Sequence, residues 1–118
     1  MTLGELIDTL KSFPKDYLVF IKPYDLVPYG FTSYRGYYDQ LALEYDIEGH
    51  CTVEKLLKLA KQSVNKTFIG YKGGEFVMTK NTPIWISNYG NTSNILLTKV
   101  ESPCDGYVYI YGEQEEVA

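Results

Sequence analysis

The sequence predicts an α+β domain in which a mainly antiparallel sheet carries two helices packed on one face. One helix pattern opens the chain, a second lies near its middle, and short strand patterns separated by turn residues fill most of the rest. The order helix, strand, strand, helix and then a run of strands favours an antiparallel sheet over alternating β-α-β units. Since 118 residues suffice for one core, residues 1–118 are predicted to form a single domain.

The first helix is predicted to begin after Thr2, whose hydroxyl can cap it. Glu5 stands three residues later and completes a capping box with Thr2. The apolar stripe that would face the core consists of Leu3, Leu6, Ile7 and Leu10. Pro14 ends this pattern, and the β-branched and aromatic residues 17–22 then predict a strand that Pro23 closes.

The second helix is predicted to begin after Thr52, again a residue that can cap a helix through its hydroxyl. Its core face consists of Val53, Leu56, Leu57 and Ala60, while lysines occupy the opposite, solvated face. A tyrosine-rich loop is predicted to lead from the first strand to a second strand over residues 41–45. Strands are predicted after the helix over residues 67–71, 75–79, 83–88, 95–100 and 107–111.

Composition and charge exclude several classes of protein. The formal net charge is −4 and the basic residues are scattered, so binding of long nucleic acid is not expected. The apolar runs are far shorter than the roughly 20 residues of a membrane helix, which predicts a cytoplasmic protein without membrane contact. Glu113, Glu115 and Glu116 predict a mobile acidic C-terminal tail over residues 113–118.

Neither a metal nor a cofactor is expected from the sequence. Cys51 and Cys104 lack the spacing of a metal or redox motif. The single histidine, His50, is adjacent to Cys51, and adjacent side chains of an extended segment point in opposite directions. The only candidate carboxylate pair is Asp39 with Glu44, which a solvated strand edge explains equally well. No catalytic residue is therefore predicted, and binding is favoured over catalysis.

The only arginine of the chain lies in the most informative segment, the run Tyr34-Arg35-Gly36-Tyr37-Tyr38. Its guanidinium is a planar, permanently charged fork that suits phosphate or carboxylate, and tyrosines offer flat faces for a base. Gly36 lets the backbone approach a ligand closely. The segment predicts a pocket for a small anionic aromatic ligand, with ordinary loop packing as the alternative.

Two further segments combine glycine, an aromatic residue and an amide or a cation at the end of a predicted strand. They are Gly70-Tyr71-Lys72-Gly73-Gly74 and Asn88-Tyr89-Gly90-Asn91-Thr92. Loops at strand ends can converge, although a plain hairpin and a polar turn are the simpler alternatives. The predicted ligand-binding residues are Tyr34, Arg35, Gly36, Tyr37, Tyr38, Tyr71, Lys72, Gly73, Gly74, Asn88, Tyr89 and Asn91.

Residues 33–42 and 68–78, together with the opening Leu3-Gly4-Glu5-Leu6, resemble a group of small uncharacterised bacteriophage and prophage proteins. The resemblance covers most of the chain. It implies an accessory protein that counters host defence in the host cell cytoplasm. Such a protein could act as a sponge, sequestering a phosphorylated nucleotide signal, such as a cyclic nucleotide or a cyclic ADP-ribose-like molecule, without cleaving it.

Two other functions remain open at this point. Exposed tyrosines could instead bind and inhibit a host defence enzyme, because tyrosine is favoured at the hot spots of protein interfaces. A small phosphodiesterase is the third possibility. In each case a homo-oligomer, a dimer or larger, is expected, since the open edges of so small a sheet are often covered by a second copy.

Overall fold

Residues 1–115 are described by a computed structural model, and they confirm the α+β class. The elements in chain order are α1 (Leu3–Leu10), β1 (Leu18–Ile21), β2 (Val27–Tyr34), β3 (Tyr37–Asp46), α2 (Val53–Ser63), β4 (Thr67–Ile69), β5 (Glu75–Val77), β6 (Ile84–Ile86), a 3-10 turn (Asn88–Gly90), β7 (Ile95–Cys104) and β8 (Tyr107–Gln114). Neither helix of these residues is long and apolar enough to cross a membrane.

Six of the strands form one sheet in the order β1-β8-β7-β6-β3-β2, and β4 pairs with β5 in a separate hairpin. The sheet is mixed, because β1 runs parallel to β8 and β3 runs parallel to β6, while the other neighbours are antiparallel. The two end strands approach each other at an isolated bridge between Ile21 and Leu26. The sheet therefore curls around the core.

Both helices are capped as the sequence predicts. The Glu5 N–H donates to Thr2 Oγ1 at 3.2 Å, and the Thr2 N–H donates to Glu5 Oε1 at 3.0 Å, which completes the capping box. These bonds lower the pKa of Glu5. Thr52 Oγ1 accepts the Lys55 N–H at 3.2 Å in the same way. The apolar stripes of both helices are buried in one cluster with the inward side chains of the sheet.

The tyrosine-rich segment is a strand and not the loop that the sequence predicts. Val27–Tyr34 forms β2, which pairs with β3 and leaves only Arg35 and Gly36 between them. Pro28 and Gly30, the residues that argue against a strand, lie at a register shift in this pairing. A bulge on a strand at the end of the sheet order accommodates both residues.

The last strand also extends further than predicted. Glu113 pairs with Leu96 and Gln114 with Ile95, so the first two residues assigned to the acidic tail belong to β8. The Glu115 N–H donates to the Asn94 carbonyl at 2.7 Å. The remainder of the predicted tail, residues 116–118, lies outside the described residues.

Candidate functional site

The three segments that combine glycine, an aromatic residue and an amide or a cation lie close together in the structure. Arg35 lies in the β2–β3 turn, and its guanidinium carbon is 3.5 Å from the centroid of the Tyr71 ring, which follows β4. The Arg35 N–H donates to the Gly90 carbonyl at 2.6 Å, and the Arg35 carbonyl accepts Thr92 Oγ1 at 2.5 Å. Arg35, Tyr71 and Tyr89 line a cavity of about 190 Å³.

Two other cavities share residues with the first. One of about 350 Å³ is lined by Tyr29, Gly30, Phe31, Thr32, Glu44 and Tyr89. The other, of about 280 Å³, is lined by Tyr29, Tyr45, Asp46, Ile47, Asn88 and Tyr89. Because Tyr89 lines all three cavities, we call them together the Tyr89 groove. Small-molecule sites usually occupy roughly 300–1,000 Å³, so the cavity that Glu44 lines is at the low end of this range and the other two are below it.

The groove presents aromatic faces to solvent. Tyr89 is 77% exposed and Tyr71 is 67% exposed, and Tyr29 is also exposed. Tyr89 has a φ of 56° and a ψ of 32°, in the left-handed region that side chains other than glycine rarely occupy. Such backbone strain costs on the order of 1–3 kcal/mol and clusters at functional sites.

Glu44 is the most unusual group of the groove. It lies on β3, only 5% of its surface is exposed, and its Oε2 atom has no hydrogen-bond partner in residues 1–115. Burial raises the pKa of Glu44, although the N–H groups of Tyr89 and Gly90 act in the opposite direction. The sequence predicts Glu44 either as the partner of Asp39 in a carboxylate pair or as a residue of a solvated strand edge. Glu44 is buried instead, and Asp39 is exposed, an odd number of positions away along the strand.

The buried carboxylate of Glu44 leads to a prediction about stability. Folding raises the pKa of Glu44 above its usual value of 4.5. Between these two pKa values the folded chain keeps a proton that the unfolded chain has lost. The wild type therefore loses stability as the pH rises from 4.5 through the pKa of the folded state. Glu44→Gln is expected to be more stable than wild type at pH 7.5 by about 1 kcal/mol, and this advantage should shrink toward pH 5. Urea unfolding of both proteins at several pH values measures this difference in stability.

The control for this experiment is Glu48→Gln, which removes the same charge from an exposed position close in sequence. It should follow the wild type at every pH. If Glu44→Gln also follows the wild type at every pH, then the carboxylate of Glu44 is not destabilised by folding and the account of its burial is wrong.

Tyr34 is enclosed within the fold. Its side chain is fully buried, and its ring stacks on Trp85 with centroids 4.8 Å apart. Its hydroxyl accepts the N–H groups of Ser93 at 2.9 Å and Asn94 at 3.0 Å. A tyrosine enclosed in this way leaves no face for a base within the described part of the chain.

The other predicted residues divide between the groove and its surroundings. Arg35, Tyr71, Asn88 and Tyr89 line the groove. Seven others do not line these three cavities: Gly36, Tyr37, Tyr38, Lys72, Gly73, Gly74 and Asn91. Several of the seven have visible structural roles, since Tyr37 stacks on Trp85, Tyr38 stacks on Phe76, and Gly73 belongs to the turn of the β4–β5 hairpin. Their contact with a ligand stays a prediction.

Comparisons of the chain with protein-family models, curated proteins and solved structures find no match. Across residues 1–115 there is also no group of three or more His, Cys, Asp or Glu side chains arranged to hold a metal ion. The inference about function therefore rests on the Tyr89 groove and on the chemistry of the side chains that line it.

Proposed function

We propose that the chain binds a small phosphorylated nucleotide in the Tyr89 groove and holds it without cleaving it. The observation that carries this proposal is the position of Arg35, whose guanidinium lies 3.5 Å from the Tyr71 ring centroid in a cavity that Tyr89 also lines. A charged fork beside two exposed aromatic faces suits a ligand that carries both a phosphate and a base.

The backbone of Arg35 is held on both sides. Its N–H bonds to Gly90 and its carbonyl to Thr92, so the side chain extends from a fixed point between β2 and β3. Stacking on Tyr71 orients the plane of the guanidinium and leaves N–H groups at its edge to donate to an anion. Paired donors of this kind recognise the oxygens of a phosphate group.

Binding without turnover follows from the side chains that line the groove. Among the residues of 1–115 that line the groove there is no histidine, cysteine or lysine. Thr32 and Ser33 could each supply a nucleophile, but the Ser33 hydroxyl donates to the Tyr38 carbonyl at 2.6 Å, and within residues 1–115 no hydrogen bond joins the Thr32 hydroxyl to a carboxylate. The two carboxylates, Glu44 and Asp46, line different cavities. A nucleophile with an adjacent base, which covalent catalysis requires, is therefore not assembled in this part of the chain.

The resemblance to small phage proteins supports a narrower version of the proposal. In that version the nucleotide is a signal of host immunity, such as a cyclic nucleotide or a cyclic ADP-ribose-like molecule, and its sequestration in the host cytoplasm blunts the defence. A homo-oligomer also belongs to this version. Because each cavity of the groove is small or open, a second copy could complete the binding site.

The experiment that tests the proposal is capture from a library of nucleotide signals. The purified chain is incubated with the library, separated from free nucleotides and denatured by heat, and the released molecules are identified by mass spectrometry. We expect one nucleotide to be recovered intact. Recovery of a hydrolysed product, absent when the library is incubated without protein, would indicate a phosphodiesterase. An eluate without nucleotide would contradict the proposal.

A protein inhibitor is the second candidate, and one observation favours it. Ile47 is 78% exposed and Ile69 is 59% exposed, and both line the groove beside its tyrosines. Exposed isoleucines and tyrosines around an arginine have the composition of a protein-binding surface. The same capture experiment separates the two candidates, because a surface for a protein partner would release no nucleotide on heating.

A further inference from the structure

We propose that Glu44 is the group with which the Tyr89 groove recognises a base, and that it selects guanine. This inference rests on the proposed function, because it concerns the base of the same ligand whose phosphate Arg35 would bind. The library experiment leaves the identity of the base open, whereas the position of Glu44 makes a specific choice among the bases.

The cavity that Glu44 lines has the character of a base-binding site. Its other walls include the aromatic residues Tyr29, Phe31 and Tyr89. Only 5% of the surface of Glu44 is exposed, and within the described chain its Oε2 atom accepts no hydrogen bond. An unpaired buried carboxylate oxygen is costly, and a ligand that brings N–H donors to it would remove that cost.

Guanine is the base whose donors match a carboxylate. The carboxylate accepts hydrogen bonds at two adjacent oxygens and donates none while it is ionised. Guanine presents a ring N–H and an exocyclic amino group side by side on one edge. Adenine has an amino group beside an acceptor nitrogen, and uracil has one N–H between two carbonyl oxygens that repel a carboxylate. Of these three bases, only guanine therefore presents two parallel donors to a carboxylate.

The cavity that Glu44 lines and the cavity that Arg35 lines are neighbours. The cavity of Glu44 and the cavity of Arg35 share Thr32 and Tyr89 as lining residues. A base in the first and a phosphate in the second would be joined by a ribose that passes over these shared residues. Since Oε2 is buried, the part of the cavity wall that covers it must move to admit the base.

The test is calorimetric titration of the full chain with cyclic GMP, cyclic AMP and cyclic IMP. These probes carry the same cyclic phosphodiester, and cyclic IMP differs from cyclic GMP only by lacking the exocyclic amino group. We expect the wild type to bind cyclic GMP about tenfold or more tightly than cyclic AMP, with cyclic IMP between them. Glu44→Gln, which keeps the shape but replaces one acceptor with a donor, is expected to bind the three within about twofold of one another.

The matched control is Glu48→Gln, which removes one carboxylate from an exposed position outside the three cavities and is expected to keep the preference for cyclic GMP. Thermal unfolding of Glu44→Gln confirms that the variant is folded. Equal binding of the three probes by the wild type, or a preference that Glu44→Gln leaves intact, overturns the assignment of Glu44 while the proposed function stands. If no probe binds, the assignment of Glu44 is also overturned, and the proposed function falls with it only when the library experiment releases no nucleotide.

Discussion

Tyr34→Ala is expected to lower the free energy of unfolding by about 3–5 kcal/mol, the usual cost of truncating a buried aromatic side chain. The Tyr34 ring stacks on Trp85, with an interplanar angle of 4°, and on Tyr37, whose centroid is 6.1 Å away, and these two rings also stack on each other. Its removal would leave a cavity and break both stacks. Because domains are stable by only about 5–15 kcal/mol, the variant should be marginally folded at room temperature.

Tyr34→Phe separates the hydroxyl from the ring. The ring contacts remain, but the N–H groups of Ser93 and Asn94 lose their acceptor, which should cost about 1–3 kcal/mol. Urea unfolding of both variants measures the two contributions. Tyr24→Phe is the control, because Tyr24 is largely exposed and should be insensitive. A Tyr34→Ala variant within about 1 kcal/mol of wild type would show that Tyr34 is not a structural residue and would restore it as a candidate for ligand contact.

The helices could be predicted from the sequence because their determinants are local. A hydroxyl at Thr2 or Thr52 and an apolar stripe within the next eight residues specify a capped amphipathic helix without reference to the rest of the chain. Strand β2 could not be predicted in this way. Pro28 and Gly30 disfavour a regular strand locally, and only the pairing with β3 shows that a bulge accommodates them.

The same distinction applies to the groove. Arg35, Tyr71 and Tyr89 were recognised because turns at strand ends carried cationic and aromatic side chains, and the structure brings these turns together. Glu44 was not recognised as a buried group, because its burial depends on the turn that contains Tyr89, which follows a different strand. The burial of Tyr34 could not be predicted for a related reason: a sequence without β2 does not reveal that its ring faces Trp85.

Arg35→Ala is expected to weaken binding of the nucleotide recovered from the capture experiment by about tenfold to a hundredfold. A charge-assisted bond to phosphate is worth roughly 1.5–3 kcal/mol, and no other cationic side chain lines the groove within residues 1–115. The fold should be preserved, since the backbone bonds of Arg35 with Gly90 and Thr92 do not need its side chain. Titration calorimetry measures the affinity. The free energy of unfolding, measured in urea, should change by less than about 1 kcal/mol.

Two further variants decide whether the geometry of Arg35 or only its charge matters. Arg35→Lys keeps the charge but loses the planar fork and much of the stacking on Tyr71, so its affinity should fall between those of wild type and Arg35→Ala. Lys11→Ala removes one positive charge at the end of α1 and controls for the change in net charge. Equal weakening by Arg35→Ala and Lys11→Ala would mean that net charge alone governs binding. Unchanged affinity in Arg35→Ala would place the phosphate away from Arg35 and remove the observation on which the nucleotide proposal rests.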